Sequence, residues 1–212
     1  MSILTDIATA IQKGKNKAIP ELIQTALDEG IAPQTILDEG LLAGMDVIGD
    51  KFKRNEAYVP EVLVAARAMK TGTDILKPLL ADSDAKPLGK VIIGTVKGDM
   101  HDIGKNLVRM MMEGKGITVI DLGVDVSKEA FLEAFQREDA QIVALSALLT
   151  TTMTEMKDII DHFTENGVRD KVKFMIGGAP ITDAYRQSIG ADYYTADAAT
   201  ASDVAKAALL AA

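Results

Sequence analysis

The chain contains no cysteine. That single absence excludes disulfides, thiolate zinc sites, iron–sulfur ligation and cysteine nucleophiles. Aromatic residues are scarce too, at 4%, so a core drawn from the 48% hydrophobic content is mainly aliphatic, with methionine filling gaps. No run of about 20 apolar residues occurs, and a helical membrane span is excluded. The first residues, Met1 to Asp6, lack the basic start and apolar stretch of a signal peptide, so a cytoplasmic location is expected. Positive charge is in deficit: 23 Lys and Arg against 31 Asp and Glu, a formal net charge of −8. Such a chain is a poor match for nucleic-acid phosphates. Neither nucleic acid nor membrane is expected as a partner.

What is present falls into two parts. Up to about residue 80 the apolar spacing is helical throughout. Ile3, Ile7 and Ile11 share one helical face; Ile19, Leu22, Ile23, Ala26 and Leu27 repeat the pattern, and Gly30 suits a C-terminal cap. Pro33 suits the first turn of a third helix carrying Ile36, Leu37, Leu41, Met45 and Ile48; Pro60 opens a fourth with Val62, Leu63, Ala66 and Met69 inward. Four helices on short turns predict a small bundle over 1–80. Residues 81–89, polar with Pro87 and Gly89, read as a linker. From residue 90 to 212 short apolar runs alternate with helical patterns. Strands are expected at 91–96, 118–122, 142–148, 173–176 and 193–195, with helices at 103–115, 128–137, 152–166, 182–189 and 199–210. Regular alternation predicts a Rossmann-like, flavodoxin-like doubly wound sheet of five parallel strands.

In such a sheet ligands bind beyond the C-terminal strand ends. The first such end runs from Gly94 to Asn106 and places His101 at a loop tip, two residues after Asp99 and three before Gly104. The glycine spacing is not that of a nucleotide phosphate loop. A histidine so placed has three readings: a capping or core residue, a general base, or a metal ligand. No nucleophile lies nearby in sequence. A ligating histidine usually gives its other ring N–H to a carboxylate, and Asp99 is the natural partner. One histidine without cysteine cannot close a metal cage. A single-histidine site makes sense when the metal arrives held by a macrocycle, haem or corrin. Gly104 would let the first helical turn approach something bulky. The other histidine, His162, and the Met110 to Met112 run read as a solvated helix position and as core packing.

Three elements then carry a specific resemblance. Asp99, His101 and Gly104 match the Asp-x-His-x-x-Gly signature of proteins that bind B12 base-off and His-on; Ser146 and Leu148 match a Ser-x-Leu pair after a later strand; Gly177 and Gly178 match a Gly-Gly pair after the next. In the helical half, Gly49 to Phe52 and Tyr58 to Glu61 are similar to the cap of methyl-carrying corrinoid proteins and of cobalamin-dependent methionine synthase. The chain thus resembles the corrinoid methyl carriers of multi-component methyltransferase systems.

The resemblance implies cobalamin or a related corrinoid, cycling between cob(I)alamin and methylcobalamin. His101 becomes the lower ligand of cobalt, with Asp99 fixing its tautomer and Thr152 ending the relay. Asp102, Ile103 and Gly104 lie beneath the ring. Ser146, Leu148 and Thr150 line a slot for the displaced nucleotide tail. Gly177 and Gly178 leave it room, and Ala196 and Asp197 close it. Phe52 and Val59 cover the methyl-bearing face, and the linker at 81–89 serves as a hinge for uncovering it. Implied partners are a substrate-specific methyltransferase (methanol, methylamine or methoxyaromatic donor), an acceptor methyltransferase for folate or a thiol, and a reductive activase. The chain is then a substrate-like subunit, since 212 residues leave no room for a catalytic barrel. A split cobalamin module of methionine synthase type and a B12-sensing module are the alternatives. A sensor needs an output domain, and a mutase subunit needs no cap. The three motifs have no haem rationale.

Overall fold

The computed structural model describes residues 2–80 and 88–211, which form two compact units. Most of the expected linker, 81–87, lies outside the described residues, and so does the hinge placed there.

The first unit is helical. Helix α1 (Ile3–Gln12) starts where the Ser2 hydroxyl accepts the Thr5 N–H at 3.3 Å. Helix α2 (Ile19–Asp28) follows a short 3₁₀ turn and ends at Gly30, whose φ of 77° lets Ile31 N–H reach back to the Ala26 carbonyl. Helix α3 (33–53) opens on Pro33 as expected, but its middle, Ile36–Leu42, is a π-helical stretch before Ala43–Lys53 resumes the α-form. Sequence periodicity assumes an even turn and cannot signal that extra residue. Gly44 sits where α3 crosses α1: a Cβ there would lie 2.7 Å from the Ile11 Cβ and 2.8 Å from the Ala8 carbonyl oxygen. Helix α4 (Val59–Leu80) completes the unit. Its start is capped by the Glu61 carboxylate, which accepts the Tyr58 N–H at 2.7 Å. The core is aliphatic, as the composition requires: Ile7, Ile11, Ile19, Ile23, Ile36, Leu41 and Leu76 are wholly buried.

The second unit is a five-stranded parallel sheet in the order β2-β1-β3-β4-β5. The strands are β1 (Lys90–Thr95), β2 (Thr118–Asp121), β3 (Ile142–Ser146), β4 (Lys173–Gly177) and β5 (Tyr193–Tyr194). The helices are α5 (Ile103–Glu113), α6 (Lys128–Glu138), α7 (Thr154–Glu165), α8 (Asp183–Ile189) and α9 (Ala198–Leu210). Alternate strand residues face opposite sides, so two cores form. Ile92, Val143, Phe174 and Ile176 pack with Phe131, Ile159, Phe163 and Ile189 under α6, α7 and α8. Val91, Ile93, Ala144 and Met175 pack with Met112, Ala201, Ala205 and Leu209 under α5 and α9. A sheet buried on both faces explains why its strands read as nearly continuous apolar runs. Met111 and Met112 are core residues. His162 is more covered than expected, its side chain 19% exposed and 3.9 Å from Glu165.

The strand order reverses between β1 and β3, and that switch point sets the site. β3 stops at Ser146, two residues short of the expected end at Leu148. Leu148 and Leu149 turn their N–H groups to the Asp99 carboxylate, at 2.8 and 3.3 Å, and cannot continue a ladder.

Candidate functional site

The β1–α5 loop carries His101 outward. Its side chain is half exposed at 51%, while Asp99 beneath it is wholly buried. The Asp99 carboxylate collects five donors. Oδ1 takes the His101 ring Nδ1 at 2.7 Å and the His101 N–H at 3.0 Å. Oδ2 takes the Thr152 hydroxyl at 2.8 Å with the Leu148 and Leu149 N–H groups. Burial alone would raise the Asp99 pKa, but the donors from Leu148, His101 and Thr152 outweigh it and hold the carboxyl well below the usual range. Asp99 therefore stays ionised and can only accept. In the neutral ring Nδ1 must then carry the proton, and Nε2 presents its lone pair outward. His101, Asp99 and Thr152 form one hydrogen-bonded chain, with Thr152 8% exposed at its inner end.

Three residues that the motif reading missed hold the same loop. The Thr95 hydroxyl, at the end of β1 and wholly buried, donates to the His101 carbonyl at 2.9 Å. Asp125 accepts the Gly98 N–H at 2.7 Å and gives its own N–H to the Asp99 carbonyl at 3.1 Å. It does so from the left-handed region, at φ 55°, which Asp tolerates better than most side chains. Lys105 on α5 is 3% exposed and donates to Asp121 at 2.5 Å. A lysine inside an otherwise amphipathic helix was the visible signal of an acidic partner.

The surface around His101 is apolar and open. Met100 and Ile103 are 69% and 80% exposed, and Leu148 and Leu149 are each 42% exposed. Large apolar side chains gathered at a strand-end rim mark a binding surface. Asp102 and Thr150 are exposed on the loops at this end of the sheet and Gly104 in the first turn of α5, where a Cβ would meet no protein atom within 4 Å. A broad, partly apolar ring with a metal at its centre suits such a surface: apolar faces below, one imidazole nitrogen aimed up. The donor set is equally selective. Among the described residues no cluster of three or more His, Cys, Asp or Glu is placed to hold a bare metal ion.

Ser146 is half-buried at the end of β3, paired with Thr95. Gly177 ends β4 opposite Ser146, with the Thr195 carbonyl 3.4 Å from where its Cβ would be. Gly178 needs a different explanation from the one its motif suggests. A Cβ there would lie 1.9 Å from the Ala147 carbonyl oxygen, and its φ is 131°. The protein's own backbone demands this glycine, whatever occupies the slot. Gly178→Ala is therefore expected to cost about 2 kcal/mol or more of stability, read by chemical denaturation without ligand. A wild-type midpoint would show that the chain relaxes around the methyl group. Ala196 is exposed beyond β5. Asp197 caps α9, with its two oxygens taken by the Thr200 N–H and hydroxyl at 2.8 and 2.7 Å. In the helical unit Phe52 and Val59 are half-buried, at the end of α3 and the start of α4, beside the 67%-exposed Tyr58.

Comparison with known proteins shows the family. Residues 89–205 match the family model of a B12 binding domain, and residues 3–77 match a second model also described as a B12 binding domain. A corrinoid protein of Desulfitobacterium hafniense (strain Y51) is 39% identical over 208 residues, covering 97% of this chain and 96% of that one. Trimethylamine corrinoid protein 1 of Methanosarcina acetivorans is 40% identical over 210 residues, covering 98% and 97%. The crystal structure of a methanol:cobalamin methyltransferase complex from Methanosarcina barkeri contains a chain that superposes with a TM-score of 0.89 at 32% identity, covering 99% of this chain and 80% of that one. With both units matched by B12 binding domain models and about 40% identity along nearly the whole length, the chain belongs to the corrinoid proteins, the cobalamin-binding proteins of methyltransferase systems.

Proposed function

We propose that the chain carries a methyl group between two methyltransferases, with His101 as the lower ligand of the corrinoid cobalt. The bound corrinoid supplies a metal that can accept a methyl group and give it up again. One observation carries the residue assignment: the Asp99 carboxylate, held ionised by five donors, fixes His101 Nδ1 as a donor and turns Nε2 toward an open apolar rim. Thr152 holds Asp99 in register. Met100, Ile103, Leu148 and Leu149 supply apolar contact beneath the ring. Ser146, Thr150, Gly177 and Ala196 edge the slot for a nucleotide tail.

The relatives whose names specify a donor handle methylated amines or methanol, and these are the donor classes proposed here. The acceptor side is a folate or thiol methyltransferase, with a reductive activase restoring over-oxidised cofactor. The test is electron paramagnetic resonance of the full chain loaded with cobalamin as Co(II), with and without 15N-labelled histidine. A nitrogen hyperfine pattern that changes with the label is expected. A pattern that stays that of the cofactor's own benzimidazole removes His101 from the metal.

A further inference from the structure

The His101 ring and N–H are held by Asp99, and its carbonyl by Thr95. Asp99, two residues before it, is tied to the end of β3. On the other side stands a second network. Lys105 Nζ donates to Asp121 Oδ1 at 2.5 Å and to Asn106 Oδ1 at 3.1 Å. Asn106 Nδ2 donates to Asp102 Oδ2 at 3.0 Å, and the Asn106 N–H donates to the Asp102 carbonyl at 2.7 Å. Asp102 is the residue after His101. Asp121 ends β2 and also accepts the Gly123 N–H at 2.9 Å.

The chemistry of each link is forced. Lysine can only donate and a carboxylate can only accept, so the Asn106 amide has one orientation between them. The Lys105 side chain is 2% exposed, and an ammonium there needs both acceptors to offset its lost hydration. The network reaches β2, while the Asp99 network reaches β3, on the opposite side of β1. The His101 loop is thus held at both shoulders, by neighbouring strands on either flank.

Building on the reading of His101 as cobalt ligand, we propose that Lys105 is a positioning residue for it: through Asn106 it ties Asp102, the C-terminal shoulder of His101, to Asp121 at the end of β2. Loss of the link frees the loop's exit and lets the imidazole leave its ligating direction, while the Asp99 bond persists.

Two variants separate this from simple stabilisation. Asn106→Ala removes the side-chain bond to Asp102 and the Lys105 bond to it, keeping the Asn106 main-chain bond and the Lys105–Asp121 pair; Lys105→Met removes the Lys105 bonds to both Asn106 and Asp121. Each is loaded with cobalamin, poised as Co(II), and read by the share of cobalt showing the histidine nitrogen pattern. Thermal unfolding without corrinoid is read alongside. Both variants are expected to lower the ratio of histidine-ligated to unligated cobalt by about 10-fold, the lower end for loss of an outer partner of a ligating histidine. Asn106→Ala is expected to do so with an unfolding midpoint near wild type. A wild-type ratio in both, with only the Lys105→Met midpoint lowered, makes this a structural ion pair and overturns the proposal. If the wild-type protein itself shows no histidine nitrogen, the ligand reading fails first and this one falls with it.

Discussion

Replacing His101 by alanine is expected to leave the fold intact and to weaken corrinoid binding by more than about 100-fold, beyond the range for loss of an outer partner of a ligand. The fold is spared because the side chain is half exposed and supports no core contact; its one side-chain bond goes to Asp99. Asp99 keeps four donors without the ring: the His101 backbone N–H, Leu148, Leu149 and Thr152. Main-chain placement of the loop is therefore retained. Titration of His101→Ala with cob(II)alamin, beside a denaturation curve of the unloaded protein, measures the two effects separately. Wild-type affinity, with both proteins showing either the benzimidazole nitrogen pattern or a water-ligated pattern without nitrogen, would place the cofactor elsewhere. A collapsed denaturation curve would instead mean that the loop's histidine stabilises the fold.

The second large effect is expected at Asp99. Asp99→Ala takes the acceptor from the N–H groups of His101, Leu148 and Leu149, while the Thr152 hydroxyl keeps the Leu149 carbonyl, at a cost of about 3 kcal/mol for three donors whose partner is gone. It also releases the His101 tautomer, so corrinoid affinity is expected to fall by about 10- to 100-fold on top of the stability loss. The pH dependence follows from the depressed Asp99 pKa. The folded-state value lies below an unfolded value of about 3.9, so Asp99 stabilises the fold above about pH 4 and loses that contribution progressively as pH falls further. Asp99→Asn is expected to flatten the acid limb of the stability curve below about pH 4. Urea denaturation from pH 2 to 7 reads the difference, and parallel curves for the two proteins would show that Asp99 is not the group responsible.

These two effects differ in kind, which makes them useful together. His101 contributes to the ligand and little to the fold. Asp99 contributes to both, because the same carboxylate that orients the imidazole also terminates β3. The early end of that strand at Ser146 and the turn of Leu148 and Leu149 toward Asp99 are one event. On the proposed reading the histidine must be steady when ligated and still be released, and an outward ring meets that need where a buried one would not.

Much of this was legible in the chain alone. Helical apolar spacing up to residue 80, then short runs alternating with helical patterns, fixes the two-part organisation, because burial demands that periodicity. Met111 and Met112 read correctly as core for the same reason. Asp99, His101 and Thr152 could be named together only through the family motif; nothing local in sequence joins residues 53 positions apart. The π-helical stretch at Ile36–Leu42 and the roles of Thr95 and Asp125 were decided by tertiary structure alone, as was which carboxylate Lys105 meets. Each depends on a partner that the folded loop or a neighbouring element brings close: the His101 carbonyl for Thr95, Asp121 for Lys105, the Gly98 N–H for Asp125. Gly178 shows the division most sharply. Its sequence context suggests space for a ligand, whereas the fold requires it because β3 and β4 bring the Ala147 carbonyl to within 1.9 Å of any Cβ placed there. Local periodicity encodes which faces are buried; only the packed sheet decides which backbone atoms collide and which buried charges meet.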